Sequence, residues 1–235
     1  MNTIINIGNT NTIISKFSKK RIIKTKKIPT EKIKKYLKPS DLTGKIYIAS
    51  VVSSKTKLFL TYLKNNHVKI ITYKDIPIKI KIKNPSQTGI DRILNCFKAF
   101  KDFKSPCLVI DAGSAITADI VNEKGEFEGG IIFPGIALME KSLKSLSGLK
   151  NFSLTDKTCL IGKNTNSAVS SGIYLGVQFI IEKYYMKLKE KYPDAKIIFT
   201  GGDGKILYKK IKKGFYYEHL TIAGIQEIAS KDLSS

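Results

Sequence analysis

Two short stretches of this chain combine glycine with amide, hydroxyl or carboxylate side chains directly after β-favouring apolar residues. The first is N-I-G-N-T-N-T-I, from Asn6 to Ile13, and the second is D-A-G-S, which begins at Asp111. Glycine lets a phosphate group approach the backbone closely, and Asn and Thr side chains add donors without adding charge. A carboxylate at the end of a strand suits a hydrated cation beside a phosphate. These residue types therefore indicate binding of nucleotide phosphates.

The two stretches overlay in sequence. "IINIGNTNTII" from Ile4 matches "VIDAGSAITAD" from Val109 at an offset of 105 residues. One such turn alone is better explained as an ordinary β-hairpin, because Gly-Asn turns are common there. Two turns at equivalent positions favour a clamp for a nucleotide triphosphate, made from two similar halves. The overlay aligns four pairs of residues in sequence: Asn6 with Asp111, Gly8 with Gly113, Asn9 with Ser114, and Thr12 with Thr117.

Each half reads as a strand, a polar turn, two further strands and then helices, which predicts an α/β fold divided into residues 1–104 and 105–235. The predicted strands are Thr3–Ile7, Thr12–Phe17, Arg21–Lys27, Lys45–Val51, Val68–Tyr73, Cys107–Asp111, Ala115–Val121, Glu126–Phe133 and Lys196–Thr200. The predicted helices are Pro29–Leu37, Ser53–Leu63, Gly89–Phe103, one started by Pro134, Thr165–Lys191, one from Asp203 and one after His219.

The high positive charge of the chain is compatible with nucleic-acid binding, but its composition does not favour that function. The 235 residues carry a net charge of +22, yet the only arginines are Arg21 and Arg92. Arginine is the residue that reads bases and phosphates with a bidentate fork, and the lysines here are spread along the chain. We therefore predict no specific nucleic-acid partner, although weak binding of polyanions follows from the charge itself.

Composition also sets the expected compartment. No apolar run approaches the roughly 18–20 residues of a membrane span, and we expect neither a membrane segment nor a signal peptide. The three cysteines, Cys96, Cys107 and Cys159, fit neither a disulfide framework nor a zinc pattern. We predict reduced, buried thiols in a cytoplasmic protein.

Six segments, in the same order, resemble the motifs of type III pantothenate kinases. NIGNTNT resembles the first phosphate motif D-x-G-N-T-x-x, and NPSQTGIDRILN resembles the substrate motif P-x-x-x-G-x-D-R-x-x-N. VIDAGSAITADIV is similar to the second phosphate motif D-x-G-T-A-x-T, and GGIIFPGI to the segment that follows it. IGKNTNSAVSSGIYLG resembles the helix opening of the family, and FTGGDGKIL its adenosine-side T-G-G-D segment.

The resemblance implies the duplicated actin-like (ribonuclease H-like) fold, with two similar halves around a central nucleotide cleft. It implies a homodimeric kinase that uses ATP, Mg²⁺ and a monovalent cation, K⁺ or NH₄⁺. The implied reaction is phosphorylation of pantothenate to 4'-phosphopantothenate, the first step of coenzyme A biosynthesis. The long helix Thr165–Lys191 is a candidate dimer interface, and the alternative is a core helix within one chain.

The resemblance also implies roles for individual residues. Asp91 would accept the proton of the attacking hydroxyl, and Asp111 would hold the monovalent cation. The implied ATP-binding residues are Asn6, Ile7, Gly8, Asn9, Thr10, Asn11, Thr12, Ile13 and Ser114. The implied pantothenate-binding residues are Gly89, Ile90, Asp91, Arg92 and Thr165.

Other interpretations of these positions stay open on the residues alone. Asp91-Arg92 is also typical of a helix start with an acidic first turn. Thr165 is also typical of a helix N-cap near Asn164.

Two positions depart from the family pattern. Asn6 stands where the family has an aspartate expected to order the hydration shell of Mg²⁺, and Asn keeps the shape and one oxygen but loses the charge. Ile82 stands where many members have a tyrosine beside the pantothenate pocket. These departures motivate an alternative function, a catalytically weakened nucleotide-binding regulator on the same fold.

Overall fold

The computed structural model describes residues 1–19, 21–63 and 67–234. The strands are β1 (Asn2–Ile7), β2 (Asn11–Ser18), β3 (Arg21–Pro29), β4 (Ile46–Ser50), β5 (Val68–Ile70), β6 (Cys107–Ala112), β7 (Ala115–Val121), β8 (Phe127–Pro134), β9 (Lys196–Thr200) and β10 (Phe215–Tyr216). The α-helices are α1 (Ile33–Tyr36), α2 (Ser53–Tyr62), α3 (Ile90–Phe103), α4 (Ile136–Lys144), α5 (Thr165–Lys191), α6 (Gly204–Ile211) and α7 (Leu220–Asp232).

The chain forms two compact units with the same sheet topology. The first consists of Met1–Asp102 with His219–Ser235, and the second of Phe103–Glu218. The sheet of the first has the order β3-β2-β1-β4-β5, and that of the second reads β8-β7-β6-β9-β10 in the same sense. In each sheet an antiparallel meander of three strands is extended by two parallel strands. The predicted α/β duplication is confirmed at the level of topology.

The last helix packs with the first unit, which differs from the predicted division at residues 104 and 105. The side chain of Thr221 on α7 donates to Asn95 Oδ1 on α3, at 2.8 Å and buried. Gly224 lies so close to α3 that an added Cβ would stand 2.8 Å from the Leu94 carbonyl oxygen. The chain therefore returns to the first sheet after completing the second.

Strand alternation decides which side chains enter each core. Ile5, Ile7, Ile46 and Ile48 of β1 and β4 pack in the first core with Phe59 of α2. In the second unit, the alternate residues of β6, Leu108, Ile110 and Ala112, pack against α5. Because successive side chains of a strand point to opposite faces, Asp111 lies on the other face of its sheet.

The two polar turns differ by one residue, which corrects part of the sequence overlay. Ile7 pairs with Thr12 in the first sheet, whereas Asp111 pairs with Thr117 in the second. The residue opposite Asn6 is Ile13, and the first turn is therefore one residue longer. Thr12 and Thr117 are not structural equivalents, and they face opposite sides of their sheets.

Two further expectations can be compared with the structure. Cys96 and Cys107 are buried as expected, but Cys159 is exposed, because it lies in the loop before α5. Within the described parts of the chain, no helix combines the length and the apolar character that crossing a bilayer requires.

Asp232 links the end of α7 to the first sheet through hydrogen bonds. Its carboxylate accepts hydrogen bonds from Lys45 Nζ at 2.6 Å, Tyr47 OH at 2.7 Å and Lys69 Nζ at 2.8 Å. Tyr47 is fully buried, and its ring meets Phe17 edge-on with centroids 6.2 Å apart. The hydrogen bonds from Lys45, Lys69 and Tyr47 hold the pKa of Asp232 well below its usual value of 3.8.

Asp232→Asn is expected to lower the free energy of unfolding by about 2 kcal/mol near neutral pH, because hydrogen bonds to a charged group are worth more than neutral ones. The folded pKa lies below the unfolded one, so the carboxylate stabilises the fold fully above about pH 5 and less as the pH falls through about 4 and below. Urea unfolding across this range is the measurement.

The difference in unfolding free energy between wild type and Asp232→Asn should shrink on acidification. Asp194→Asn, at an exposed carboxylate of the second unit, is the matched control and should change stability little. A difference for Asp232→Asn that stays constant from neutral to acid pH would contradict the assigned role of its charge.

Candidate active site

The first polar turn follows β1 directly and is closed by its own backbone. Gly8 N–H donates to the Asn11 carbonyl at 3.0 Å, and Asn9 and Thr10 at the tip are exposed. Thr30, at the end of β3, braces the turn from the side. Its backbone N–H donates to the Thr10 carbonyl at 2.9 Å, and its hydroxyl donates to the Gly8 carbonyl at 2.7 Å. The turn is thus a rigid, polar tip at the carboxyl end of β1.

The predicted ATP-binding stretch contains exposed residues at its tip and buried residues that hold the turn in place. Ile7 and Thr12 are fully buried, and the Thr12 hydroxyl lies 3.0 Å from that of Thr30. Asn6 is half-buried and lies on the opposite face of the sheet from Ile7. Thr30 was missed by the sequence analysis, since nothing in its local sequence shows that β3 returns to the turn.

The predicted substrate motif opens α3 in the same unit. Asp91 is the second residue of the helix, and its Oδ1 accepts from the Arg92 backbone N–H at 2.8 Å. A Cβ added to Gly89 would lie 2.6 Å from Asp91 Oδ1 and 3.6 Å from Val51 Cγ1. The absence of a side chain at Gly89 therefore makes room for the Asp91 carboxylate.

Val51 connects the motif at Asp91 with the first turn. Its backbone N–H donates to the carbonyl of Ile7, the residue before Gly8, at 3.1 Å. Val51 Cγ1 in turn faces Gly89. The structure thus brings the first turn and the predicted substrate motif to the same edge of the first sheet, where β1 and β4 end.

The second polar turn is enclosed by two other segments of its own unit. Gly113 N–H donates to the Ala115 carbonyl at 3.0 Å, and Ser114 at the tip is exposed. Gly135 N–H, after β8, donates to the Ser114 carbonyl at 3.2 Å. The Asp203 backbone N–H, after β9, donates to the Ala112 carbonyl at 2.9 Å. Three segments that resemble motifs of one family therefore meet at the carboxyl edge of the second sheet.

Asp111 lies in a row of polar side chains on one face of that sheet. The register places it beside Thr117 of β7 and Thr200 of β9. The Thr117 hydroxyl is sealed from solvent and has no hydrogen-bond partner among the described residues. Gly201 has φ +88°, and a Cβ added there would fall 2.5 Å from the Ala112 carbonyl and closer still to Asp111 Oδ1. The glycine and the strand register together fix the position of the carboxylate.

Thr165 is exposed at the first position of α5. The N-cap is Asn164, whose side chain accepts from the Ser167 backbone N–H at 2.9 Å. Asn164 therefore caps the helix, and the Thr165 side chain remains exposed. Beside this helix start lies an apolar groove of about 780 Å³ between α4 and α5. It is lined by Pro134, Leu138, Met139, Ser142, Leu143, Ala168, Val169, Gly172 and Ile173.

Tyr174 lies further along α5 in a negative environment. Burial raises the pKa of its hydroxyl, and the charges of Asp203, Asp156 and Glu140 raise it further. Lys210 stacks over its ring at 5.0 Å. The phenol is therefore neutral at physiological pH and serves in packing.

The family is decided by comparison with known sequences. The sequence model of type III pantothenate kinases matches residues 3–187. The chain belongs to the type III pantothenate kinase family. The type III pantothenate kinase of Thermosipho melanesiensis is 34% identical over 241 residues, covering 96% of this chain and 96% of that protein. That of Persephonella marina is 39% identical over 158 residues, which cover 66% of this chain and 62% of that protein.

Solved structures show that this pantothenate kinase family member has an actin-like fold. A conserved Baf family protein from Campylobacter jejuni superposes with a TM-score of 0.72 at 23% identity, covering 99% of this chain and all of that one. An N-acetylglucosamine kinase from Porphyromonas gingivalis superposes with a TM-score of 0.55 at 11% identity, covering 99% of this chain and all of that one. An archaeal actin homologue superposes with a TM-score of 0.51 at 11% identity, covering 97% of this chain and 99% of that one.

Proposed function

We propose that this protein transfers the terminal phosphoryl group of ATP to the primary hydroxyl of pantothenate, giving 4'-phosphopantothenate for coenzyme A biosynthesis. The observation that carries the proposal is family membership over residues 3–187, together with the carboxylate of Asp91 at the opening of α3. Phosphoryl transfer depends mainly on positioning and on neutralising charge. The rigid turn and the Asp91 carboxylate support the positioning.

Each proposed residue has a role that its position supports. Asp91 orients the pantothenate hydroxyl and accepts its proton late in the transfer. Arg92 offers a bidentate fork to the pantothenate carboxylate. Gly89 and Ile90 shape the surroundings of Asp91 within the first unit, and the exposed Thr165 is the predicted pantothenate contact of the second unit. In each unit the exposed polar turn is the proposed phosphate-binding element, with Asn9 and Thr10 at the tip in the first unit and Ser114 in the second.

The second unit offers donors that fit a monovalent cation. The Asp111 carboxylate lies beside the Thr117 hydroxyl, which has no hydrogen-bond partner in the described part of the chain. Both groups offer oxygen, the ligand that hard cations prefer. K⁺ or NH₄⁺ held there would add positive charge beside the polar turn at Ser114. Asn6 is a weaker partner for Mg²⁺ than the family aspartate, because one neutral amide oxygen replaces a charged carboxylate. Mg²⁺ brought by ATP would meet only this neutral oxygen at position 6, which would order its water shell more weakly than a carboxylate.

We also propose that the protein is a cytoplasmic homodimer that pairs through α5. One face of this helix packs in the core through Ile173, Val177 and Ile181. The opposite face is open. Helical spacing brings small Ala168 and Gly172 together with Phe179 and Met186, which are 55% and 57% exposed. Small residues followed by large exposed apolar ones on one helix face favour packing of a second copy. Sedimentation of the assayed sample reports the oligomeric state.

The deciding assay measures ADP release with ATP, Mg²⁺ and K⁺, with and without pantothenate, for wild type beside Asn6→Asp. Wild type is expected to turn over only with pantothenate. Asn6→Asp is expected to raise turnover about tenfold at limiting Mg²⁺, because it restores a carboxylate beside the phosphates. Asn9→Asp is the matched control, since it adds the same charge at the exposed tip of the turn, where it repels phosphate and lowers turnover.

The same assay separates the kinase from the nucleotide-binding regulator. The names of the relatives do not favour the regulator. A wild type that binds ATP without turnover, with activity appearing only in Asn6→Asp, would establish the regulator and overturn the kinase.

A further inference from the structure

Asn95 is the member of the substrate motif that the proposed reaction leaves without a role. It ends the G-I-D-R-I-L-N segment, one helical turn after Asp91 on α3. Its side chain is 1% exposed, so it contacts neither solvent nor an exposed pocket. A buried amide needs hydrogen-bond partners, and Asn95 Oδ1 accepts a hydrogen bond from the Thr221 hydroxyl of α7 at 2.8 Å. This bond joins positions 126 apart in sequence.

The bond is one of the contacts between α3 and α7. Another is the close approach of Gly224 to the Leu94 carbonyl. A further contact is made by Glu227, whose carboxylate pairs with Lys98 at 3.4 Å and also with Lys101. The Asn95–Thr221 bond lies at the Asp91 end of this interface, and the Glu227 ion pairs lie one to two turns further along α3. The two ends of the interface can therefore be altered separately.

We propose that Thr221 is a positioning residue for catalysis: through Asn95 it fixes the first turns of α3, and with them the Asp91 carboxylate. The inference rests on the proposed function in which Asp91 accepts the substrate proton. Residues one turn apart on a helix move together, so a shift at Asn95 is transmitted to Asp91. Misplacing a catalytic group by about 1 Å costs up to about 10²-fold in rate.

The buried geometry explains why a hydroxyl is needed at position 221. Thr221 is 8% exposed at the start of α7, and its hydroxyl donates to Asn95 Oδ1. Valine has nearly the shape of threonine but leaves Asn95 Oδ1 without this donor. Serine keeps the hydroxyl and loses only a methyl group. The pair of substitutions therefore isolates the hydrogen bond from the volume.

The test compares Thr221→Val, Thr221→Ser and Glu227→Gln with wild type. Thr221→Val is expected to lower kcat about tenfold and leave the KM for ATP unchanged, because the phosphate-binding turn is not attached to α7 through this bond. Thr221→Ser should retain most of kcat. Glu227→Gln weakens the far end of the same interface and should lower the melting temperature at nearly unchanged kcat.

A second readout does not depend on activity. Amide hydrogen exchange at residues 90–95 is expected to be faster in Thr221→Val than in wild type and Thr221→Ser. Unchanged exchange there, or equal loss of kcat in Thr221→Val and Glu227→Gln, would overturn the inference. A wild type without pantothenate-dependent turnover would overturn the proposed function instead, and the exchange result would still decide whether Thr221 orders α3.

Discussion

Replacing Asp91 by asparagine is expected to lower pantothenate-dependent turnover by about 10²–10⁴-fold, the range typical of removing a general base. Asparagine keeps the shape of the side chain and can still accept from the Arg92 backbone N–H, as Asp91 Oδ1 does at 2.8 Å. It cannot take the proton of the attacking hydroxyl. The loss should therefore appear in kcat, while ATP binding stays near that of the wild type.

The control for Asp91→Asn is Asp102→Asn, near the other end of the same helix. Asp102 pairs with Lys98 at 2.6 Å, and its neutralisation changes the net charge equally. It should alter turnover less than twofold, as expected of a partly exposed i,i+4 ion pair worth about 0.3–0.5 kcal/mol. Turnover that is undiminished in Asp91→Asn would remove Asp91 from the mechanism and leave the proton to another group or to solvent.

Gly201→Ala is expected to lower the free energy of unfolding by about 3 kcal/mol or more, because two costs combine. The φ of +88° is strained for any residue with a Cβ. The new methyl group would also stand 2.5 Å from the Ala112 carbonyl oxygen and press on the Asp111 carboxylate. We expect any K⁺ dependence of turnover to weaken together with stability, since the displaced carboxylate is the proposed cation ligand.

The neighbouring glycine provides the matched control. Apart from its chain neighbours, no described residue has an atom within 4 Å of the position that a Cβ on Gly202 would occupy. Gly202→Ala should therefore change the unfolding free energy by less than about 1 kcal/mol. Urea unfolding measures the stability of the variants, and turnover with and without K⁺ measures the cation dependence. Equal stability of the two variants would show that the loop relaxes around Gly201 and that Asp111 is not fixed by it.

Local sequence patterns predicted most elements of the fold. The helix Thr165–Lys191 and the strands Ala115–Val121 and Lys196–Thr200 are found with the predicted bounds. Apolar alternation and helical periodicity span many residues there, and short-range propensity agrees with packing. The repeated turn motif was similarly visible and predicted the duplicated topology.

Predicted boundaries were wrong where a local contact stabilises a different structure from the one that the residue pattern favours. The strand predicted to reach Tyr73 ends at Ile70, because Thr72 and Asp75 form a capping box. In it the Thr72 backbone N–H donates to the Asp75 carboxylate at 2.8 Å. Pro134 does not start a helix but ends β8, and α4 begins two residues later. β10 has only two residues, too few for any periodicity.

The sequence by itself determined the family, the duplicated α/β fold and the residue types available for phosphoryl transfer, because motif order and side-chain chemistry are properties of the chain. Only the tertiary structure decided that Thr30 braces the first turn, that Thr12 faces the core and Thr117 stands beside Asp111, and that α7 returns to hold α3. Each of these depends on a strand register or on contacts between residues far apart in sequence. A shift of one residue reverses the face of every side chain in a strand, and long-range packing leaves no local pattern to read.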